Sequence, residues 1–181
     1  TRHEHLAELR GLYGFRTFAG RGARELKEWL FREAELAVSN DDIARRFVIE
    51  CRRTRTVLPA TSTIERLCAT ALVDAERRIE TRIAGRLSPP IREQLLALLE
   101  DTVDDRVTRF VWLRQFEPGS NSLSANRLLD RLEYLQRLDL PEDLLTGVPA
   151  HRATRLRRQG ERYYADGMRD LPEDRRLAIL A

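Results

Sequence analysis

The chain has 181 residues, of which 42% are hydrophobic and 34% are charged, with a formal net charge of +3. This apolar fraction excludes a disordered protein, because it is large enough to build a core. No apolar run approaches the roughly 18–20 residues that a membrane-spanning helix requires, so we expect no contact with a membrane.

Arginine dominates the basic residues, because Lys27 is the single lysine among 32 lysines and arginines. A guanidinium group suits phosphates and guanine edges better than an ammonium group does. A GC-rich genome, which favours arginine codons, explains the same bias equally well. The positions of the arginines therefore have to decide between the two explanations.

The cysteines and the chain start indicate the setting of the protein. Cys51 and Cys68 lie on separate predicted helices without CxxC spacing, which favours two buried, reduced thiols over a zinc site. We expect a cytoplasmic protein. Because the first residue is threonine and the only methionine is Met168, we also expect a segment of a longer polypeptide.

Three helices are predicted in the first 60 residues from apolar positions at helical spacing. The first ends at Gly14, and the second runs from about Leu26 to Ala37. Ser39 and Asp42 form a capping box for the third, whose apolar face carries Phe47.

The next segment gives the strongest helical pattern of the chain. Ser62 and Glu65 form a second capping box, and apolar residues then keep the i, i+3, i+4, i+7 rhythm as far as Leu87. Another helix starts at Pro89. A short helix capped by Thr102 and Asp105 is predicted after it.

Leucine-striped and basic helices are predicted in the rest of the chain. Residues 117–122 form the clearest loop, and a helix striped by Leu128 and Leu132 follows. A long helix starts near Pro149, with a bend expected near Gly160 or Gly167, and another starts after Leu171-Pro172. Period-2 alternation is not sustained anywhere, so we expect no sheet.

These elements predict an all-α fold, a multi-helix bundle of two or three helical subdomains with helix-turn-helix-like elements. The predicted subdomains are residues 1–60, 61–116 and 117–181. The sequence contains no HExxH, glycine-rich phosphate loop or GxSxG motif. We therefore predict no catalytic residue, no metal site and no cofactor in this chain, and no enzymatic activity of its own.

A first basic cluster lies on and after the third helix, opposed locally only by Glu50. A helix, a connection and a second helix that opens with hydroxyl side chains resemble a helix-turn-helix, although the connection exceeds the usual 3–4 residues. Helix capping alone also explains Ser62 and Glu65. The DNA-binding residues predicted here are Arg52, Arg53, Arg55, Thr61, Ser62, Thr63 and Arg66.

A second basic cluster lies on the helix that starts near Pro149, opposed locally only by Glu161. His151 falls on the same helical face as three of the arginines, at i, i+4, i+7 and i+11 spacing. Such a run is often a solvated face, but its one-sided charge also fits binding to phosphates. The DNA-binding residues predicted here are Arg152, Arg155, Arg158 and Arg162.

Four strings resemble the Tn-three family of replicative transposases. Residues 1–16 resemble the family's TR-x-EHL-x-EL…YGFR segment, and residues 58–67 (LPATSTIERL) resemble its LPA-x-STIERL segment. Residues 112–115 and 128–132 resemble two further segments in the same order. The STIERL string is the most specific of these, because capping and periodicity require only some of its residues.

The resemblance implies a place for this chain within a bacterial transposase. In such proteins the N-terminal region binds the terminal inverted repeats, and a separate C-terminal RNase H-like domain carries three acidic metal ligands. The expected partners are double-stranded DNA of the inverted repeats, the rest of the transposase polypeptide and, as a candidate, a second copy. DNA binding would place the protein at the bacterial nucleoid.

Two other functions remain open from the sequence. One is a helical scaffold or dimerisation segment of the transposase without sequence readout, in which the arginines pair with the 29 acidic residues. The other is a helical adaptor unrelated to DNA.

Overall fold

A computed structural model describes residues 2–103, 107–114 and 122–181, without the side chains of residues 2, 3, 6, 122–125 and 127. Helices predominate, which confirms the predicted all-α class. The helices are α1 (Arg2–Tyr13), α2 (Gly20–Glu33), α3 (Asn40–Arg53), α4 (Thr61–Arg86), α5 (Pro89–Ala97), α6 (Arg109–Arg114), α7 (Ser122–Arg137), α8 (Ala150–Arg162), α9 (Ala165–Arg169) and α10 (Glu173–Leu180).

A small antiparallel hairpin corrects the prediction of a helix at Thr102. Strand β1 (Thr102–Val103) pairs with β2 (Val107–Thr108), with Thr102 opposite Thr108. The expectations of no sheet and of a helix that begins at Thr102 are therefore wrong. The short helix of this segment begins instead at Arg109, and the predicted cap at Asp105 lies outside the described residues. Strands of two residues are too short to show alternation, so the sequence pattern could not reveal them.

The helix predicted from Pro149 is shorter than expected. It ends at Arg162 because Tyr163 takes an extended backbone conformation, with φ −73° and ψ 140°. The Tyr163 side chain packs beside the core of this region. The chain therefore breaks at neither Gly160 nor Gly167, which lie within α8 and α9.

The chain packs as two compact units, Thr1–Glu76 and Arg77–Ala181, and the division between them falls within the sequence of α4. Each unit has its own core. The three-part division of the sequence stays a prediction, and its boundary loop at 117–122 lies almost entirely outside the described residues.

The core of the first unit is built from α2, α3 and α4. Phe47 is fully buried and meets Phe18 edge-on, with ring centroids 6.0 Å apart. Both cysteines lie in this core as free thiols, and burial raises the pKa of each to about 11. The core residues are Leu26, Leu30, Ala34, Ala37, Ile43, Phe47, Cys51, Ile64, Cys68, Ala71 and Ala75.

The core of the second unit continues the apolar rhythm of α4. Ile79 and Ile83 are buried there in the same cluster as Leu95 of α5 and Leu177 of α10. The rhythm predicted for this helix therefore holds through both units. Among the described residues, no helix is long and apolar enough to cross a lipid bilayer.

Candidate nucleic-acid interface

The connection between α3 and α4 covers residues 54–60 and opens with a motif that ends α3. The amide of Thr56 donates to the carbonyl of Cys51 at 2.7 Å, and the amide of Arg55 donates to that of Arg52 at 3.1 Å. This pair of bonds is a Schellman motif, and Arg55 takes its left-handed position with φ 49°. Glycine is usual there, so arginine costs about 1 kcal/mol of backbone strain.

Backbone hydrogen bonds join this connection to the segment between α1 and α2. The amide of Arg16 donates to the carbonyl of Arg55 at 2.8 Å, and the amide of Val57 donates to the carbonyl of Arg16, also at 2.8 Å. Thr56 is buried at this bridge, and its hydroxyl lies 3.1 Å from that of Thr54. These bonds hold in place a connection longer than a standard helix-turn-helix turn.

Helix α4 begins without a side-chain cap. The amides of Thr63 and Ile64 donate to the carbonyl of Ala60 at 2.8 and 3.1 Å, so Ala60 is in the capping position. Alanine has no side-chain oxygen to accept a bond from the first turn. Ser62 lies inside that turn, and the predicted Ser62–Glu65 capping box is therefore wrong.

Ser39 caps α3 as predicted, but the second bond of the predicted capping box goes to the residue before Ser39. The Oγ of Ser39 accepts a hydrogen bond from the amide of Asp42 at 3.1 Å. The Asp42 carboxylate reaches back to the amide of Val38, with Oδ2 at 3.2 Å. The two helix starts thus differ: α3 has a side-chain cap from Ser39, whereas α4 has none, and Thr61 and Ser62 in its first turn are exposed.

An open groove of about 1230 Å³ lies between α3 and the first turns of α4, and we call it the α3–α4 groove. It brings together four residues of the first basic cluster, namely Arg52, Thr61, Ser62 and Arg66. Each of the four is exposed. The wall also carries Ile49 and Leu58, whose side chains are 63% and 40% exposed.

The charge of the α3–α4 groove is mixed. Arg52 and Arg66 form no ion pair with any residue that the structure describes. Asp41 and Glu65 also line the groove, as does Arg45, whose Nε lies 3.4 Å from the backbone oxygen of Asp41. The groove therefore offers two unpaired guanidinium groups, exposed hydroxyl groups and acceptors within one surface.

Arg53 is neutralised within α3. Its Nη2 and Nε lie 2.6 and 2.7 Å from the two carboxylate oxygens of Glu50. The hydrogen bond from Arg53 lowers the pKa of Glu50 from its ordinary value, although burial acts in the opposite direction. The sequence identified Glu50 as the one acidic residue that opposes the cluster locally, and the structure pairs it with Arg53 at two points.

Two other residues of the first cluster lie outside the groove lining. Arg55 holds the left-handed position described above, and its Nη1 lies beside Gly14. Thr63 is half-buried in the first turn of α4. The structure thus separates the seven predicted residues into four that line one groove and three that do not.

The second basic cluster is divided by the packing of α8. Arg152 is 4% exposed, so its predicted contact with DNA is not supported by this structure. It lies four residues before Leu156 and eleven before Tyr163, on the helix face that packs inward, and that spacing could have revealed its burial. Arg155, Arg158 and Arg162 are exposed, and Arg155 has an interaction within the protein.

Several arginines of the second unit bind backbone carbonyls. The Nη1 of Arg86 lies 3.0, 2.8 and 2.7 Å from the carbonyl oxygens of Asp143, Leu144 and Thr146. Arg92 likewise binds the carbonyl of Ala84 at 2.7 Å. Some of the arginines therefore stabilise the fold by binding backbone carbonyls. Neither DNA binding nor a GC-rich genome, the two explanations considered for the arginine content, predicts this role.

Comparison with known proteins shows which proteins this chain resembles in sequence. It is 33% identical to the transposase for transposon Tn3926 of Escherichia coli, and the match covers 99% of this chain and 18% of that protein. The transposase for transposon Tn21 of Escherichia coli is 32% identical over the same shares. The transposase for transposon Tn501 of Pseudomonas aeruginosa is 30% identical over 100% of this chain and 18% of its own length. The chain is homologous to the Tn-three family transposases.

This chain spans about 18% of the length of the Tn-three transposases that it matches, and the matched part is their N-terminal part. Among the described residues, no group of three His, Cys, Asp or Glu side chains is placed to hold a metal ion.

The α3–α4 groove lies in the part of the Tn-three homologue that matches a family model. That model, described as a domain of unknown function (DUF4158), covers residues 1–71. The groove lining extends from Asn40 to Ala69 and is therefore contained in the matched segment. The exposed arginines of α8 lie outside it.

Proposed function

We propose that this chain binds the terminal inverted repeats of a transposon and reads their sequence through the α3–α4 groove. The observation that supports this most is the placement of Arg52 and Arg66 in one open groove without an ion-pair partner among the described residues. A guanidinium group left unpaired at a surface can replace the counterions that condense on a duplex.

The side chains of the groove match the chemical groups that base edges present. Arginine bonds both acceptors of guanine, a carboxylate accepts from the amino group of cytosine, and hydroxyl groups bond either base type. Arg52, Glu65 and Ser62 supply these three kinds of group. The exposed Ile49 and Leu58 provide apolar surface for thymine methyl groups. This mixture favours sequence readout over purely electrostatic binding.

The exposed arginines of α8 have a secondary role in this proposal. Arg158 and Arg162 lie one turn apart on the outer face of the helix, at i and i+4. They contact phosphates and contribute affinity without sequence preference. Arg152 is left out of the proposed interface because it is buried.

The proposal places the chain within a larger protein. By its homology, that protein is a bacterial transposase whose catalytic domain acts on the DNA ends that this region holds in position. Its partners are inverted-repeat DNA, the remainder of the polypeptide and a second copy of the protein. Its site of action is the nucleoid in the cytoplasm.

A scaffold role is the second candidate, and one observation favours it. Helix α7 exposes four leucines that occupy one side of the helix: Leu128, Leu129, Leu132 and Leu135, at 41–56% exposure. Exposed apolar stripes of this kind mark contacts with other proteins or domains. In that role the chain would join parts of the transposase and would not discriminate between DNA sequences.

A binding titration distinguishes the two roles. Fluorescence anisotropy of the 181-residue chain compares a labelled duplex carrying the transposon's own inverted repeat with a scrambled duplex of the same composition. Readout predicts tighter binding to the inverted repeat, with affinity that falls steeply as salt rises. Equal and weak binding to both duplexes would instead support the scaffold.

Paired substitutions assign the readout to the groove. Arg52→Gln with Arg66→Gln is expected to reduce the preference for the inverted repeat by about tenfold or more, since each guanine contact is worth about 1–3 kcal/mol. The matched control is Arg77→Gln with Arg78→Gln, because both of these arginines have interactions within the protein. An equal loss in both double variants would refute the assignment to the groove.

A further inference from the structure

A second groove lies along the outer face of α2, separate in its lining from the α3–α4 groove. It is open, has a volume of about 920 Å³, and is lined by the aromatic side chains of Phe18 and Phe31 and by four charged residues. These charged residues are Arg24, Lys27, Glu28 and Arg32. We call it the α2 groove. None of its residues belongs to either basic cluster predicted from the sequence.

The charge of the α2 groove is one-sided. Arg24, Lys27 and Arg32 are exposed, and none forms an ion pair with a residue that the structure describes. Glu28 is the one carboxylate among the lining residues. Elsewhere on the same helix, Arg21 pairs with Glu25 at 2.8 Å, so a local ion pair does form where the geometry permits it.

The base of the α2 groove is fixed by the core of the first unit. Phe18 is half-buried and stands edge-on to the fully buried Phe47. Phe31 is also half-buried and packs beside that core. The basic side chains therefore project from a firm surface rather than from a flexible loop, which lowers the entropy cost of binding an extended ligand.

The lining points to phosphate as the ligand. It has no hydroxyl or amide side chain, and these are the neutral groups that would pair with base edges. Lys27 is a compact point charge of the kind that binds phosphate without directional pairing. Three cations without an ion pair among the described residues, against one carboxylate, attract a polyanion such as the phosphate backbone, and contacts to that backbone carry no sequence information.

We infer that the α2 groove binds the phosphate backbone of duplex DNA and anchors the chain independently of sequence. This inference rests on the proposed function only for its choice of duplex DNA over another polyanion. It divides the interface into two parts with different tasks: the α3–α4 groove supplies discrimination, and the α2 groove supplies affinity that disappears at high salt.

The test uses the 181-residue chain and a scrambled-sequence duplex, with affinity measured across a series of salt concentrations. Each phosphate contact contributes about 0.9 to the slope of log affinity against log salt, so Arg24→Gln with Lys27→Gln should reduce the slope by about 2. Affinities for the inverted-repeat and scrambled duplexes should fall by the same factor. Arg21→Gln is the control, because Arg21 is already paired, and it should leave the slope unchanged.

Further outcomes keep this inference separate from the proposed function. Arg24→Lys in place of Arg24→Gln should restore one unit of charge and about 0.9 of the slope. The inference is overturned if the double variant folds with an unchanged melting temperature but keeps the full slope. Binding of an acidic protein segment in this groove instead of DNA would overturn it as well.

Equal binding of the unaltered chain to the inverted-repeat and scrambled duplexes would refute the proposed function alone, because the slope is measured on scrambled DNA.

Discussion

Arg53 and Glu50 face each other across one turn of α3, with both carboxylate oxygens of Glu50 held by the guanidinium group of Arg53. The Glu50 side chain is only 11% exposed, whereas that of Arg53 is 71% exposed. The pair therefore stabilises a nearly buried carboxylate at the edge of the core of the first unit. Arg53 has a structural task, and this separates it from Arg52, its neighbour in the chain.

The ion pair predicts a pH dependence of stability. Arg53 holds the pKa of Glu50 below its ordinary value of 4.5 in the folded state. The ion pair therefore contributes its full stabilisation of the fold above pH 4.5, and this stabilisation is lost as the pH falls through the lowered pKa. Urea unfolding at neutral and acidic pH should show that Glu50→Gln loses less stability on acidification than the unaltered chain. At neutral pH this variant should be less stable by about 1–2 kcal/mol. Parallel losses of stability in the two proteins would contradict this role.

The two helix starts predict opposite effects of two serine substitutions. Ser39→Ala removes the cap of α3 and should lower the free energy of unfolding by about 1 kcal/mol without changing DNA affinity. Ser62→Ala removes no cap, so it should leave stability unchanged. It should weaken binding to the inverted repeat by about fivefold, because the hydrogen bond from its hydroxyl group to DNA is lost. Chemical unfolding and fluorescence anisotropy of both variants measure these effects. Loss of stability in Ser62→Ala would indicate that Ser62 does cap α4.

The left-handed residue of the α3–α4 connection predicts a stabilising substitution. Arg55→Gly relieves strain at φ 49° and should raise the free energy of unfolding by about 1 kcal/mol, less the entropy that glycine adds to the unfolded chain. Gly14→Ala, at φ 66°, is the matched opposite and should destabilise by a similar amount. Thermal unfolding of both variants measures this. A destabilised Arg55→Gly would show that the Arg55 side chain contributes more than its backbone strain costs.

The burial of Arg152 predicts loss of stability rather than loss of binding. Arg152→Ala removes a 4% exposed side chain that has interactions within the protein, and should destabilise the chain by about 2 kcal/mol. Arg158→Ala removes an exposed side chain from the same helix and should leave stability within about 0.5 kcal/mol. Urea unfolding compares the two variants. Similar stabilities would indicate that Arg152 is not held in the core.

The two buried thiols predict slow chemical modification. With the pKa of Cys51 and Cys68 at about 11, roughly one thiol in a thousand is ionised near pH 8. Both should react with a thiol reagent only as fast as the first unit opens, and at the normal rate in urea. Rapid labelling of either cysteine in the folded chain would mean that this core is open.

The helices of the first unit could be predicted from sequence because their apolar positions are regular. The spacing of Ile64, Cys68 and Ala71 places them on one buried face of α4, as expected. The start of that helix could not be predicted from the local pattern. Ser62 and Glu65 match a capping box, but the carbonyl of Ala60 accepts the first backbone hydrogen bonds, so the helix begins before Ser62. Local patterns do not determine which of several neighbouring residues begins a helix.

The basic clusters show where sequence reasoning about the site stops. Arg52 and Arg53 are adjacent and chemically identical, yet one lines a groove and the other binds Glu50. Only the rotation of α3 against its core decides this, since residues one apart on a helix point about 100° away from each other. The sequence did not indicate the basic residues of α2, because acidic residues alternate with them along the chain. Which of these basic residues form ion pairs depends on tertiary packing.

The Arg86 contacts bear on how this chain can be engineered. Exchanging arginine for lysine is a common way to alter solubility or crystallisation while the net charge is kept. At position 86 a single nitrogen, Nη1, lies within hydrogen-bond distance of all three carbonyl oxygens. A lysine ammonium group has a donor for each oxygen, but it sits on a shorter and more flexible stem. Recoding for lysine can therefore include the outward-facing arginines of α8 but should spare position 86, where the reach of the side chain decides whether the three contacts persist.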